Sequence, residues 1–166
     1  MQDKVKINIV RVLFALYCAL VVWTILFKLS FSIEEIYGIR RLNLIPFYFV
    51  FVPRFNLGEM IENVLIFIPF GMYLKIFGVK SKTAVISGFC FSLLLELCQY
   101  IFKLGTCDIT DVMANTAGSA LGVLIFILIS RKIKNGGLSD KINKTAAYLM
   151  TAAFLSAICF VLALRR

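Results

Sequence analysis

The chain has 166 residues, 61% of them hydrophobic, with a mean hydropathy of +0.92. Soluble domains sit near about 45–50% apolar, and here the excess is gathered into long runs, so composition excludes an ordinary soluble domain and indicates an integral membrane protein. The formal charge of +9 falls mostly in short loops beside apolar runs, which points to helix orientation and away from nucleic acid.

The first apolar run, 9–29, follows a basic N-terminus. It exceeds the h-region of a signal peptide, about 7–15 residues, and no A-x-A site follows it. We read it as an uncleaved transmembrane helix. Next comes "FSIEEIYGIRRLNLIPFYFVFVPRF". Its apolar piece, 42–52, is too short to cross, is bracketed by Pro46 and Pro53, and holds Phe47, Tyr48, Phe49 and Phe51. Aromatics favour the headgroup level, so an interfacial or re-entrant segment is expected.

Further spans are predicted at 60–78, 84–104, 111–130 and 145–164, since about 20 apolar residues cross a bilayer. The fold class is thus an all-α integral membrane protein with about five transmembrane helices, and 1–166 is one membrane domain. In the second span Pro69 frees the carbonyl of Leu65 and favours a kink. Ala114, Gly118 and Gly122 recur every four residues on the fourth, a stripe suited to close helix packing.

Orientation follows from the cations. With the N-terminus inside, the inner segments hold Lys4, Lys6, Arg11, Lys75, Lys80, Lys82, Arg131, Lys132, Lys134, Lys141 and Lys144, eleven of eighteen. This predicts a multi-pass membrane protein with a cytoplasmic N-terminus. Arg165 and Arg166 pull mildly against an outer C-terminus.

Polar residues then gather at the outer helix ends. Glu62 and Asn63 open the second span. Glu96 and Gln99 share a face of the third, and Asp111 and Asn115 share a face of the fourth. A carboxylate within a span costs about 2.5–3.5 kcal/mol at mid-bilayer and so needs a partner. For Glu96 the candidates are Arg40, Arg41, Asn63 and Asn115. Asp108 or Thr110 is suited to cap the fourth helix, and Asp111 to sit at its positive dipole end. The amides are equally suited to join helices.

The chain has no histidine, which removes His-based nucleophile activation and His metal ligands. Its five cysteines form no CxxC and give no disulfide framework. "GTCD" departs from the GxGD pattern of intramembrane aspartyl proteases. No catalytic residue, metal ligand or cofactor is assigned. A carboxylate pair of Glu96 and Asp111 leaves an intramembrane hydrolase as the least favoured reading.

Four stretches, "RRLNLIPF", "ENVLIFIPFGMYL", "SLLLELCQY" and "GTCDITDVMANTAGSALG", stand in an order that resembles the VanZ-like family of bacterial membrane proteins. The resemblance runs from 40 to 122. It carries the family's polar signature onto Arg41, Asn43, Pro46 and Phe47, then Asn63, Phe67, Pro69 and Gly71, then Glu96 and Gln99, and finally Asp108, Asp111, Asn115 and Gly118. Glu62, Thr106 and Cys107 depart from the commoner pattern.

The resemblance implies a cell-envelope role linked to resistance to the lipoglycopeptide teicoplanin. Its expected partners are membrane lipids, lipid-linked cell-wall precursors or the lipoglycopeptide itself. The candidate ligand-binding residues are Arg40, Arg41, Asn43, Asn63, Glu96, Gln99, Asp108, Asp111 and Asn115. The leading expectation is a site for a lipid headgroup or ligand at the outer leaflet. A small lipid or ion transporter or flippase is the alternative.

Overall fold

The computed structural model describes residues 2–27, 39–46, 57–132, 145 and 149–152. In chain order these form helix α1 (Gln2–Phe27), strand β1 (Ile39–Asn43), helices α2 (Leu57–Ile76) and α3 (Ser81–Phe102), strand β2 (Leu104–Asp108) and helix α4 (Ile109–Lys132). Among the described residues four stretches are long and apolar enough to cross a membrane: Ile9–Leu26, Leu57–Ile76, Ser81–Phe102 and Ile109–Arg131. At about 1.5 Å per residue the longer three match a hydrocarbon core of about 30 Å. The chain is a helical, multi-pass membrane protein of the all-α class, with one short two-stranded ribbon added. The aromatic stretch at 47–51 lies outside the described residues, as does most of the expected fifth span, of which 145 and 149–152 are helical.

Helices α2 and α3 form a tight hairpin. Gly78, at φ 79°, donates its N–H to the Lys75 carbonyl, and Val79 donates to that of Leu74, both at 3.0 Å. This pair closes a helix on a left-handed residue that glycine adopts without strain. At the far end of α3, Lys103 takes the same conformation (φ 56°, ψ 39°) and donates to the Gln99 and Tyr100 carbonyls. The chain leaves α3 there and passes directly into β2.

The ribbon is the element that periodicity did not predict. β1 and β2 run parallel, with Ile39 opposite Leu104, Arg41 opposite Thr106 and Asn43 opposite Asp108. Sequence alone put 104 inside the third span, 40–41 in an outer loop and 42–43 at the start of the interfacial or re-entrant segment. A two-stranded parallel pair is joined by backbone hydrogen bonds between distant segments, and its five-residue strands are too short to show a period of their own.

In a bilayer, helices associate through close packing more than through apolar burial. α2 lies chiefly on α4. A Cβ at Gly118 would run into the Val64 carbonyl, one at Gly122 into that of Ile68, and one at Gly71 into that of Ser119. The Gly118 and Gly122 stripe is therefore a backbone-to-backbone seam, as its spacing predicts. On the other side of α2 the Phe14 ring lies 5.7 Å from Phe70, 5.3 Å from Tyr73 and 5.4 Å from Phe77, and Phe70 stacks on Phe91 at 5.2 Å. Val12, Leu65, Leu94, Ile101 and Leu124 point outward, as lipid-facing residues do.

Pro69 is buried within an unbroken α2. The Tyr17 hydroxyl donates to the Ile66 carbonyl at 2.6 Å, one residue from the carbonyl that Pro69 leaves without its helical donor. A side chain supplied by a neighbouring helix is one way a membrane helix tolerates proline. Buried Tyr73 shares a hydrogen bond with Thr151, which ties the C-terminal helical segment to α2.

Candidate functional site

The ribbon explains why four separated motifs belong together. Asn43 ends β1 opposite Asp108, the last residue of β2. Its amide Nδ2 donates to Asp108 Oδ2 at 2.9 Å. The same Asn43 uses its Oδ1 to accept from the Ile45 N–H at 3.2 Å, an Asx turn that steers the chain toward Pro46. One asparagine thus sets the local turn and pins it to the start of α4.

Asp108 is the hub. Its Oδ1 accepts from the Thr110 N–H at 2.8 Å, satisfying one of the free donors of α4 as a helix cap does. Its own N–H donates to Glu96 Oε2 at 2.8 Å. Glu96 is 1% exposed and lies two turns inside the end of α3, about 9 Å below it at the helical rise. A carboxylate at that depth is held by hydrogen bonds to its charged oxygens, and the Asp108 amide supplies one of them.

One helix over, Asn63 Nδ2 on α2 donates to Asp111 Oδ1 in the first turn of α4, at 2.8 Å. The seam at Gly118 and Gly122 holds α2 and α4 in the register this bond requires. A turn deeper, Asn115 Nδ2 donates to Ser92 Oγ on α3 at 2.8 Å. Asn115 is 1% exposed, and its Oδ1 accepts no hydrogen bond. An orphaned buried acceptor costs about 1–3 kcal/mol.

Cys107 sits amid this group. Burial pushes its thiol pKa up, and the nearby carboxylates of Glu96, Asp108 and Asp111 add to the rise. All three carboxylates therefore lie within electrostatic reach of one sulfur. Among the described residues no group of three or more His, Cys, Asp or Glu side chains is arranged to hold a metal ion.

Most of the residues singled out from sequence meet here. Asn43, Asn63, Glu96, Asp108, Asp111 and Asn115 belong to the network or to the layer beneath it. Arg41 stands exposed on β1 opposite Thr106. The Arg40 backbone pairs with Gly105, and its side chain lies outside the described residues. Gln99 turns elsewhere: its Nε2 donates to the Ile25 carbonyl at 2.8 Å, stitching α3 to the end of α1. Two residues that sequence reasoning left unassigned take part: Ser92 and Cys107. Ser92 had a signal, since it lies four residues before Glu96 on the same face.

Chemically, this is a floor of carboxylates and amides at one end of the bundle, with an exposed guanidinium at its rim. It presents acceptors for hydroxyl or amine groups and, at Arg41, donors suited to a phosphate or carboxylate.

A profile of the VanZ/LLP1 family matches residues 14–130. Protein VanZ of Enterococcus faecium is 40% identical over 127 residues, a stretch covering 73% of this chain and 75% of that protein. No solved structure matches. The matched stretch contains every residue of the ribbon network, and with this extent of similarity the chain belongs to the VanZ/LLP1 family.

Proposed function

We propose that the ribbon end of the bundle is an outer-leaflet binding site for a lipid headgroup or envelope ligand, through which the protein contributes to tolerance of teicoplanin. The observation that carries this reading is the convergence on Asp108. Asn43 and Glu96, from separate motifs, both bond to it, while Arg41, two residues from Asn43, remains exposed. A purely structural ribbon does not need an exposed arginine beside a half-buried acidic network. The excess of cations at the opposite helix ends supports placing the ribbon outside and the N-terminus in the cytoplasm, in a bacterial cytoplasmic membrane.

The same geometry favours binding over transport or hydrolysis. Transport by rocking halves needs surfaces that slide, whereas backbones in contact at Gly118 and Gly122 resist sliding. Each carboxylate is also engaged: Glu96 by the Asp108 amide, Asp108 by Thr110 and Asn43, and Asp111 by Asn63.

The test is teicoplanin susceptibility of a Gram-positive host expressing the chain, with membrane abundance measured in parallel. Arg41→Ala and Asn115→Ala should remove the tolerance at unchanged abundance. Full tolerance in both variants, at normal abundance, would overturn the proposal.

A further inference from the structure

The opposite end of the bundle carries a second charged feature. The Gly78 turn brings Lys75, Lys80 and Lys82 together, and Lys75 Nζ is held there by the Val79 carbonyl at 2.9 Å. α4 runs parallel to α2 with Gly118 against Val64 and Gly122 against Ile68. Carried nine residues further at the helical rise, that register brings Arg131 to the level of Phe77, at the same end of the bundle. On α1 the Phe14 ring meets Phe77 at 5.4 Å, and Arg11 lies one turn nearer the same end. Arg11, Lys80, Lys82 and Arg131 are exposed.

No described carboxylate offsets them. The acids whose side chains are described, Glu59, Glu62, Glu96, Asp108 and Asp111, all belong to the ribbon half. α3 begins at the basic end with neither a side-chain cap nor an acid in its first turn, so its positive dipole end adds to the field. Along α3, Lys82, Ile86 and Phe89 then follow on one stripe. Ile86 is 48% and Phe89 41% exposed. A cation at the membrane surface above an outward-facing apolar stripe has the shape of a headgroup over an acyl chain.

We propose that this end binds an anionic phospholipid, its phosphodiester at Lys80 and Lys82 with Arg131 adding to the positive field at the same level, and a chain along Ile86 and Phe89. Basic surfaces where transmembrane helices meet the interface recognise such headgroups. This site is separate from the ribbon end and does not depend on what that end binds.

Native mass spectrometry on the full chain, released from nanodiscs of equal phosphatidylglycerol and phosphatidylethanolamine, tests it. The wild type should retain phosphatidylglycerol preferentially. Lys80→Gln, Lys82→Gln and Arg131→Gln should each weaken that preference, by up to about fivefold per cation removed. The triple variant should lose it, with unchanged thermal unfolding in phosphatidylcholine. An undiminished preference in a folded triple variant refutes the site. So does a preference lost in Arg41→Gln and not in the triple variant, which moves the lipid to the ribbon end. Complete displacement by inorganic phosphate marks a free-anion site and equally overturns the lipid as occupant.

Discussion

Replacing Gly122 by alanine adds one methyl group, and the structure assigns it a large effect. The new Cβ would overlap the Ile68 carbonyl oxygen and lie 3.0 Å from the carbonyl carbon and 3.1 Å from the Met72 nitrogen. All three are backbone atoms of a helix, so no side chain can rotate away. The helices must part, which loosens the seam and the Asn63–Asp111 bond that depends on its register. Overpacking of this kind costs about 1–3 kcal/mol, and Gly118→Ala belongs in the same range because Val64 and Phe67 crowd its Cβ. Gly105→Ala is the internal control: its Cβ would meet only the Gln99 side chain at 3.9 Å, an ordinary contact. Gly78→Ala falls between, with open space around it but a φ of 79° that costs an L-residue about 1–2 kcal/mol. Thermal unfolding in one detergent should rank Gly105→Ala near wild type and Gly118→Ala and Gly122→Ala well below it. Wild-type stability for Gly122→Ala would refute the backbone seam.

Asp108→Ala should cost about 0.5–2 kcal/mol for the lost cap alone and more through the Asn43 bond, while Asp108→Ser restores the cap only; unfolding of both variants beside Asn43→Ala separates the two parts. Asn115→Leu should leave stability nearly unchanged, since it removes an orphaned acceptor along with one hydrogen bond, yet it should abolish teicoplanin tolerance; a stable and fully tolerant variant contradicts a binding role for Asn115. Tyr17→Phe should destabilise by about 0.6–1.7 kcal/mol through loss of the Ile66 bond, read as a lower unfolding temperature. Cys107, with its pKa raised by burial and by three carboxylates, holds less thiolate than a free thiol at a given pH. Its alkylation should therefore begin at higher pH, and Asp111→Asn should move that onset back down; an onset at the ordinary thiol pH would contradict the carboxylate cluster around it.

Much of this was readable in the amino acids because a bilayer imposes simple rules. Runs of apolar residues fix where helices cross, and the second and fourth spans expected at 60–78 and 111–130 correspond to Leu57–Ile76 and Ile109–Lys132. Glycines at four-residue intervals fix which face is close-packed. The Asp108 cap was legible from its place before the α4 run. Partners were not. Sequence offers Glu96 several amides and arginines, but its bond to the Asp108 N–H depends on β2, and β2 exists only through pairing with β1. Gln99 and Asn115 lie at a similar level on successive helices by helical arithmetic, yet one bonds to Ile25 on α1 and the other to Ser92 on α3. Such choices are settled in three dimensions, by contacts between segments far apart in the chain.

The parallel ribbon also dictates an order of assembly. β1 is made before α2, and its partner β2 only after α3 has returned across the bilayer, so the α2–α3 hairpin is the connection between the two strands. Until Leu104–Asp108 emerges, Asn43 and Glu96 have neither the side chain nor the amide of Asp108 to bind. The polar network is completed late in biogenesis, and Glu96 enters the membrane before its Asp108 partner is available. A chain arrested during synthesis with α4 still in the ribosome would hold a helical hairpin with an unfinished end. Factors that shelter charged residues during insertion should then matter most over that interval.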